Sequence, residues 1–284
     1  MTHVHCHARG RLVGAATVIA LASLAPAAHA QTDYYNTDAG RPVQIEDAYP
    51  VERRAFEIQL APLRLERARG GVYRWGIEPE IAFGILPRTQ IELGVPFAFI
   101  DAGSGNRTSG VAGVDLSVLH NLNVETSIPA LALSAGVLLP AGGLGPDEAR
   151  ASLKAIMTRT FTGARLHINA QYTFGDRLPE LANDVAGEDA AVASASQELS
   201  RWLAGVAVDR TLPLSSLLVT GEVYAREPLR SGEDLEWNTG AGVRYQLGPR
   251  FNIDGGIGRR LTGDDRGWYA TFGTAFAFGL PWHP

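Results

Sequence analysis

The sequence predicts an all-β protein: a transmembrane antiparallel up-and-down β-barrel of about 12 strands. The first sign is an alternation of large apolar residues with small or polar ones, which recurs along the whole chain after residue 50. A period of two is typical of a strand with two different faces. The second is the even number of such segments, and the third is a regular alternation of short and long connections between them.

Residues 1–30 precede the barrel and predict a signal peptide. Arg9 and Arg11 form a charged start, 12–25 is an apolar run, and 28–30 is a small-residue cleavage site. The alternative is a transmembrane anchor, but the apolar run is shorter than the roughly 20 residues that a helix needs to cross a bilayer. We therefore expect this segment to be removed.

Removal of the signal peptide eliminates a candidate metal tract made of His3, His5, Cys6 and His7. Cys6 is the only cysteine, so the mature chain forms no disulfide, and we predict no cofactor and no metal site. The full chain has 25 Lys and Arg against 30 Asp and Glu. Such an acidic balance argues against nucleic acid as a partner.

Residues 31–50, QTDYYNTDAGRPVQIEDAYP, are too polar for a strand. We predict a periplasmic N-terminal segment here, which could fold into the periplasmic mouth as a small plug. The barrel domain is predicted to span 51–284.

Each predicted strand shows the same two-faced pattern. In 235–247 the odd-numbered positions are mostly large and apolar, while the even-numbered ones are polar or glycine. In 164–175 the even-numbered positions are apolar and the odd-numbered ones polar. Pro62 and Arg159 interrupt the pattern in the first and sixth strands. The twelve predicted strands are 54–66, 72–84, 88–100, 111–124, 130–140, 151–161, 164–175, 201–210, 216–226, 235–247, 251–261 and 267–279.

The number of strands decides which face meets water. An interior lined by the apolar face would leave a large void, because side chains fill only barrels of about eight strands. The apolar face is therefore predicted to meet lipid and the polar face to line the lumen. The candidate lumen-lining residues for solute binding are Arg74, Glu78, Glu80, Glu92, Asp115, Arg165, His167, Glu222, Arg244 and Asp254.

Connection lengths predict the topology, since outer-membrane barrels have short periplasmic turns and longer outer loops. The short connections are 86–87, 125–129, 162–163, 211–215 and 248–250, and the longer ones are 101–110, 141–150, 176–200, 227–234 and 262–266. The longest, 176–200, is expected to be a solvated outer loop or a lid over the pore mouth.

The last strand resembles the bacterial outer-membrane assembly signal. Thr271, Gly273, Phe276 and Phe278 supply its polar residue, its glycine and its two spaced aromatics. This resemblance implies the barrel-assembly machinery as a partner. The signal usually ends its chain, whereas here residues 279–284 follow.

Three hairpin stretches carry a wider resemblance: GILPRTQIELGVPF at 84–97, LLPAGG at 138–143 and GAGVRYQLGPRFNIDGGIGRRLTG at 240–263. The chain from about Arg41 to Phe278 is similar to the MetA-pathway-of-phenol-degradation family of outer-membrane proteins. The resemblance implies a barrel in the outer membrane of a Gram-negative bacterium, which passes small, apolar or aromatic solutes. It transfers no defined binding residues.

Two further functions stay open at this point. A plugged, structural barrel would have charged side chains paired across its lumen. A barrel enzyme is less favoured: His167 and Asn169 fit part of a lipase-like Ser, His and Asn set, but no serine motif matches and both side chains face the lumen. We expect no enzyme activity.

The hairpin around residue 249 gives a test of register. A three-residue turn at 248–250 would pair Leu247 with Phe251 and therefore Arg244 with Asp254. In a wet lumen such an ion pair would stabilise the barrel by under about 1 kcal/mol.

Overall fold

The described residues form a closed antiparallel barrel. A computed structural model of the protein describes residues 36–67, 73–101, 107–179, 199–263 and 266–279. The predicted signal peptide and most of the 176–200 connection lie outside them. The strands are β1 (Ala55–Arg67), β2 (Tyr73–Leu86), β3 (Thr89–Gly94), β4 (Phe97–Asp101), β5 (Arg107–Val111), β6 (Val114–Asn123), β7 (Ala130–Leu139), β8 (Arg150–Phe161), β9 (Ala164–Thr173), β10 (Ser200–Leu212), β11 (Leu217–Pro228), β12 (Glu236–Gly248), β13 (Phe251–Arg260) and β14 (Trp268–Gly279).

These segments make twelve barrel strands, as predicted. β3 and β4 both pair with β2 and are two parts of one strand; β5 and β6 form the next one in the same way. β1 pairs with both β2 and β14, which closes the barrel. The polar face points inward and the large apolar side chains outward: Val219 and Val223 are exposed, while Thr220 and Glu222 are buried.

The prediction of continuous strands at 88–100 and 111–124 was wrong in detail. The first breaks at Val95–Pro96 because proline has no backbone N–H for the ladder. The second breaks at the same level, where Gly113 takes a positive φ of 127°, and it begins earlier than predicted, at Arg107. The connection predicted at 101–110 is therefore only 102–106.

β5 has a strand partner on one side only within the described ranges, namely β4. On its other side β7 ends at Leu139, and the connection to β8 folds back over the gap. There the Leu144 N–H donates to the Val111 carbonyl at 3.1 Å, and the Leu144 side chain packs on Ile100. One part of the wall is thus closed by a loop and not by a strand.

The barrel has a rim of short turns and a rim of longer loops, which we call the short-turn rim and the long-loop rim. Aromatic side chains lie at the short-turn rim: Phe56 stacks on Phe83 and Phe278, with ring centroids 4.3 and 5.3 Å apart. The connections of the short-turn rim are 87–88, 124–129, 162–163, 213–216 and 249–250. Among the described residues, no helix is long and apolar enough to cross a membrane.

Candidate functional site

The lumen contains the chain's own N-terminal segment. Residues 36–54, which we call the insert, run from the short-turn rim into the barrel, turn back at 38–41 and return to β1. The turn has Gly40 at a positive φ of 80°, and the Arg41 N–H donates to the Asp38 carbonyl at 3.0 Å. The two arms are joined where the Asp47 N–H donates to the Thr37 carbonyl at 3.1 Å.

Arg41 anchors the deepest part of the insert. Its side chain is fully buried, and its Nη2 lies 2.5 Å from Asp254 Oδ2 and 3.3 Å from Asn252 Oδ1. Arg244 holds the same turn from β12 by donating to the carbonyls of Asn36 and Arg41. Two wall strands therefore enclose this turn with charge-assisted hydrogen bonds, which are among the stronger ones in proteins.

Arg244 and Asp254 are directly opposed, so the predicted pairing is confirmed. Arg244 Nε lies 3.5 Å from Asp254 Oδ2. Two details were wrong. Phe251 pairs with Gly248 and not with Leu247, because a bulge lies next to the turn. The pair also lies in a buried site and not in a wet lumen, since Arg41 covers it.

Past the turn, side chains of the wall bind the backbone of the insert. Glu222 Oε2 accepts from the N–H groups of Gln44 and Ile45, at 2.8 and 2.9 Å. The Asn169 amide binds both the N–H and the carbonyl of Glu46, at 3.0 and 2.9 Å. Backbone groups that would need a sheet partner thus find side-chain partners.

The returning arm is held by a second charged network. Lys154 Nζ lies 2.6 Å from Glu46, and Arg165 lies 3.5 Å from Asp47. Arg165 also binds Asp209 with two hydrogen bonds of 2.9 and 2.6 Å. Each of these charges has an opposite charge within ion-pair distance, so the network can exist away from bulk water.

Thr158, His167 and Asp209 form a chain that resembles a hydrolase triad. Thr158 Oγ1 lies 3.0 Å from His167 Nδ1, and His167 Nε2 lies 2.9 Å from Asp209 Oδ2. Since the Asp209 carboxylate accepts, Nε2 carries a proton, and the other ring nitrogen shares a hydrogen bond with the hydroxyl of Thr158. However, the Ala48 N–H donates to Thr158 Oγ1 at 3.0 Å and covers it. With the insert in place, Thr158, His167 and Asp209 hold the insert, and no room is left beside them for a substrate.

The insert is tied to the short-turn rim by Tyr49, whose hydroxyl lies 3.4 Å from Glu125. Burial raises the pKa of Glu125, but hydrogen bonds from the Thr160 N–H and hydroxyl, together with Arg159, outweigh it and hold the pKa below its usual value. Glu125 is therefore ionised at neutral pH and orders the turn beside the insert.

Glycines on the inner face make room for the insert. A Cβ added at Gly242 would lie 2.6 Å from the Pro42 Cβ, and one at Gly205 would lie 2.8 Å from the Ile45 side chain. Gly256 is closer still to the Pro42 carbonyl. The wall therefore fits this segment closely, since real Cβ contacts shorter than 3.0 Å essentially do not occur.

Two cavities lie on either side of the insert. One of about 380 Å³ lies toward the long-loop rim, against Ala39, Gly40 and Gln44. Another of about 730 Å³ opens at the short-turn rim, against Tyr49 and its neighbours. No residue lines both. The insert thus lies between two vestibules.

The ten predicted lumen residues fall into three groups. Five contact the insert or support a residue that does: Arg165, His167, Glu222, Arg244 and Asp254. Three line the smaller cavity: Arg74, Glu78 and Asp115. The last two, Glu80 and Glu92, lie on the acidic wall of β2 and β3, where Glu92 binds Gln90 and Ser117.

Sequence reasoning missed several of the groups that hold the insert. Arg41 and Thr158 were not singled out, because nothing local marks them as partners. The four residues of the predicted assembly signal lie on β14, where Thr271 donates to the Pro42 carbonyl at 2.9 Å and Gly273 lies under Arg41. Nowhere in the described ranges do three or more His, Cys, Asp or Glu side chains group as a metal site.

A closed barrel with a polar, occupied lumen and an apolar outer face has the fold of outer-membrane β-barrels. No protein-family model and no curated protein matches the sequence. Among solved structures, the chain is similar to an outer membrane channel from Pseudomonas putida F1, with a TM-score of 0.55 and 13% identity over 85% of this chain and 100% of that one.

Two weaker similarities are to the KdgM porin and to outer membrane phospholipase A from Escherichia coli. The porin has a TM-score of 0.47 and 11% identity, covering 78% of this chain and 99% of that one. The phospholipase has a TM-score of 0.39 and 9% identity, covering 81% and 94%. At these scores neither similarity bears on the choice between channel and enzyme.

Proposed function

We propose that this protein is an outer-membrane channel for small solutes and that the insert is its gate. The observation that carries the proposal is the position of residues 36–54 between two separate vestibules. On this proposal the short-turn rim faces the periplasm, as in other outer-membrane barrels. The proposal includes recognition of the chain by the assembly machinery through Thr271, Gly273, Phe276 and Phe278. It further includes membership of the MetA-pathway family and apolar or aromatic molecules as the solutes.

The chemistry of the insert suits a reversible gate. Its contacts to the wall are mainly hydrogen bonds and ion pairs, and few apolar side chains are buried with it, chiefly Val43, Ile45 and Ala48. Buried ion pairs add little net stability, because desolvation offsets most of their attraction. Water entering the lumen can take the place of these partners. The free energy needed for the insert to leave the lumen is therefore smaller than the number of contacts suggests.

A reversible cross-link tests the gate. The mature chain has no cysteine, so Pro42→Cys with Gly242→Cys gives one defined pair. The two Cβ positions are 2.6 Å apart, which a shift of about 1 Å would bring to the 3.5–4.5 Å of a disulfide. We expect the oxidised protein to be silent in planar bilayers and the reduced protein to conduct. The single variant Gly242→Cys is the matched control and should not respond to oxidation.

Two results would contradict the proposal. Equal conductance before and after oxidation, with the disulfide verified, would show that the insert does not gate. Silence of wild type, reduced and oxidised protein alike, together with no solute uptake into liposomes, would favour the plugged structural barrel. Heat-modifiable migration on gels confirms folding in every case.

A further inference from the structure

The smaller cavity has the dimensions of a ligand site. Its volume of about 380 Å³ falls within the about 300–1,000 Å³ typical of pockets for small molecules. The insert forms its floor with Ala39, Gly40 and Gln44, and the connection carrying Leu144 and Pro146 forms part of its wall toward the long-loop rim.

One side of the cavity is apolar, which is unusual for this lumen. Ile100 and Leu144 are buried against each other, with Ala98 and Ala112 packed around them, and Leu138 completes the surface. This patch lies where the strands break at 95–96 and 112–113. A loop side chain replaces the missing strand there, so apolar groups point inward.

The opposite side is charged, and most of its charges are matched. Arg64 lies 2.5 Å from Glu66, and Arg74 is directly opposite Glu66 in the sheet. Glu78 and Asp115 differ: within the described part of the chain, neither carboxylate accepts a hydrogen bond. Glu78 lies over Gly94, whose partner on β6 is Asp115, so both carboxylates flank one glycine.

We propose that this cavity binds a small organic cation: an apolar body lies on the patch of Ile100, Leu138 and Leu144, and an ammonium group binds Glu78 and Asp115. An ammonium supplies three hydrogen-bond donors and a positive charge, and both favour its binding to carboxylates. The inference rests on the proposed function and deepens it, since it names the class of solute that the smaller cavity selects.

The test measures binding and not transport. The oxidised Pro42→Cys, Gly242→Cys protein in zwitterionic nanodiscs keeps the floor of the cavity in place, and calorimetry compares three probes with one apolar body: 4-phenylbutylamine, 4-phenylbutanol and 4-phenylbutanoate. Empty nanodiscs correct for partition into lipid. We expect the amine to bind at least about tenfold more tightly than the other two, as charge-assisted hydrogen bonds imply.

Single substitutions then locate the site. Glu78→Gln and Asp115→Asn should each weaken amine binding about tenfold or more, while Glu80→Gln should not. Glu80 is the matched control, because it lies on the same strand and the same face but does not line the cavity. Leu138→Ala should weaken the amine and the alcohol alike.

Several outcomes overturn the inference: no binding of the amine, equal or tighter binding of the carboxylate, no effect of either substitution, or an equal loss in Glu80→Gln. None of them affects the gate, which the redox dependence of conductance tests separately. Failure of the gate would likewise leave amine binding measurable in the wild-type protein.

Discussion

A single methyl group added to the lumen wall should open the channel. Gly256 faces the insert from β13, and the Cβ created by Gly256→Ala would lie 2.9 Å from Thr271 Oγ1 and closer still to the Pro42 carbonyl oxygen. The preceding residue, Gly255, points outward, and a Cβ there would meet only the Thr271 carbonyl at an ordinary 3.4 Å. Gly255→Ala is therefore a control that differs only in direction.

The magnitude follows from the clash. Pro42 is rigid, so its carbonyl must retreat by about 1 Å to reach ordinary contact with the new methyl group. Overpacking of this kind costs about 1–3 kcal/mol, and the hydrogen bond from Thr271 is lost with it. If the docked state alone bears this cost, the ratio of undocked to docked insert rises roughly 5- to 150-fold.

The assay is the open probability of single channels in planar bilayers, with thermal unfolding as a check on the barrel. We expect Gly256→Ala to open more often at unchanged unit conductance, and Gly255→Ala to match wild type. Unchanged open probability in Gly256→Ala with a lowered unfolding temperature would mean that the wall yields and the insert stays. That result would refute the reasoning.

Asp254→Asn removes the charge that holds Arg41, so we expect more frequent opening, since breaking a buried pair costs about 3–5 kcal/mol. The stabilising effect of Glu125 should be present above about pH 4.3 and disappear as the pH falls through its lowered pKa, so Glu125→Gln should flatten the acid limb of a thermal-stability profile. We expect no phospholipid hydrolysis by the wild type in a fluorogenic lipid assay, even in the reduced, open cross-link variant; activity abolished by His167→Ala would show an enzyme instead. A protease added to intact cells should cut within 176–200 and leave the barrel membrane-bound, whereas cutting only after outer-membrane permeabilisation would invert the topology.

The barrel could be predicted from sequence because its rule is local. Alternation of period two assigns each side chain to a face without knowledge of any partner, and a short turn fixes the register of the strands beside it. That is why Arg244 and Asp254 could be paired from the sequence alone. The sequence did not distinguish a three-residue turn from a two-residue turn followed by a bulge at Gly248, because both pair Gln246 with Asn252 and Arg244 with Asp254.

The sequence predicted that residues 31–50 could form a plug, but it did not predict the contacts that hold this segment, because they are distant in sequence. Arg41 meets Asp254 across a separation of 213 residues, and Gln44 meets Glu222 across 178. A polar segment outside the strands has no periodicity that would show where it docks. The only local sign was small residues on the inner face, such as Gly242, which the sequence alone could not distinguish from turn or packing glycines.

The position of the insert relative to β1 links assembly to closure of the lumen. The insert immediately precedes β1, and its deepest anchors lie on β12, β13 and β14, the last strands of the chain. β14 is held beside β1 only when the barrel closes. Closure therefore brings the insert, which precedes β1, next to its anchors on β12 to β14, so its hydrogen bonds favour the closed barrel over an open sheet. The inner face of β14 thus holds the insert through Thr271, while Phe276 is exposed on its outer face.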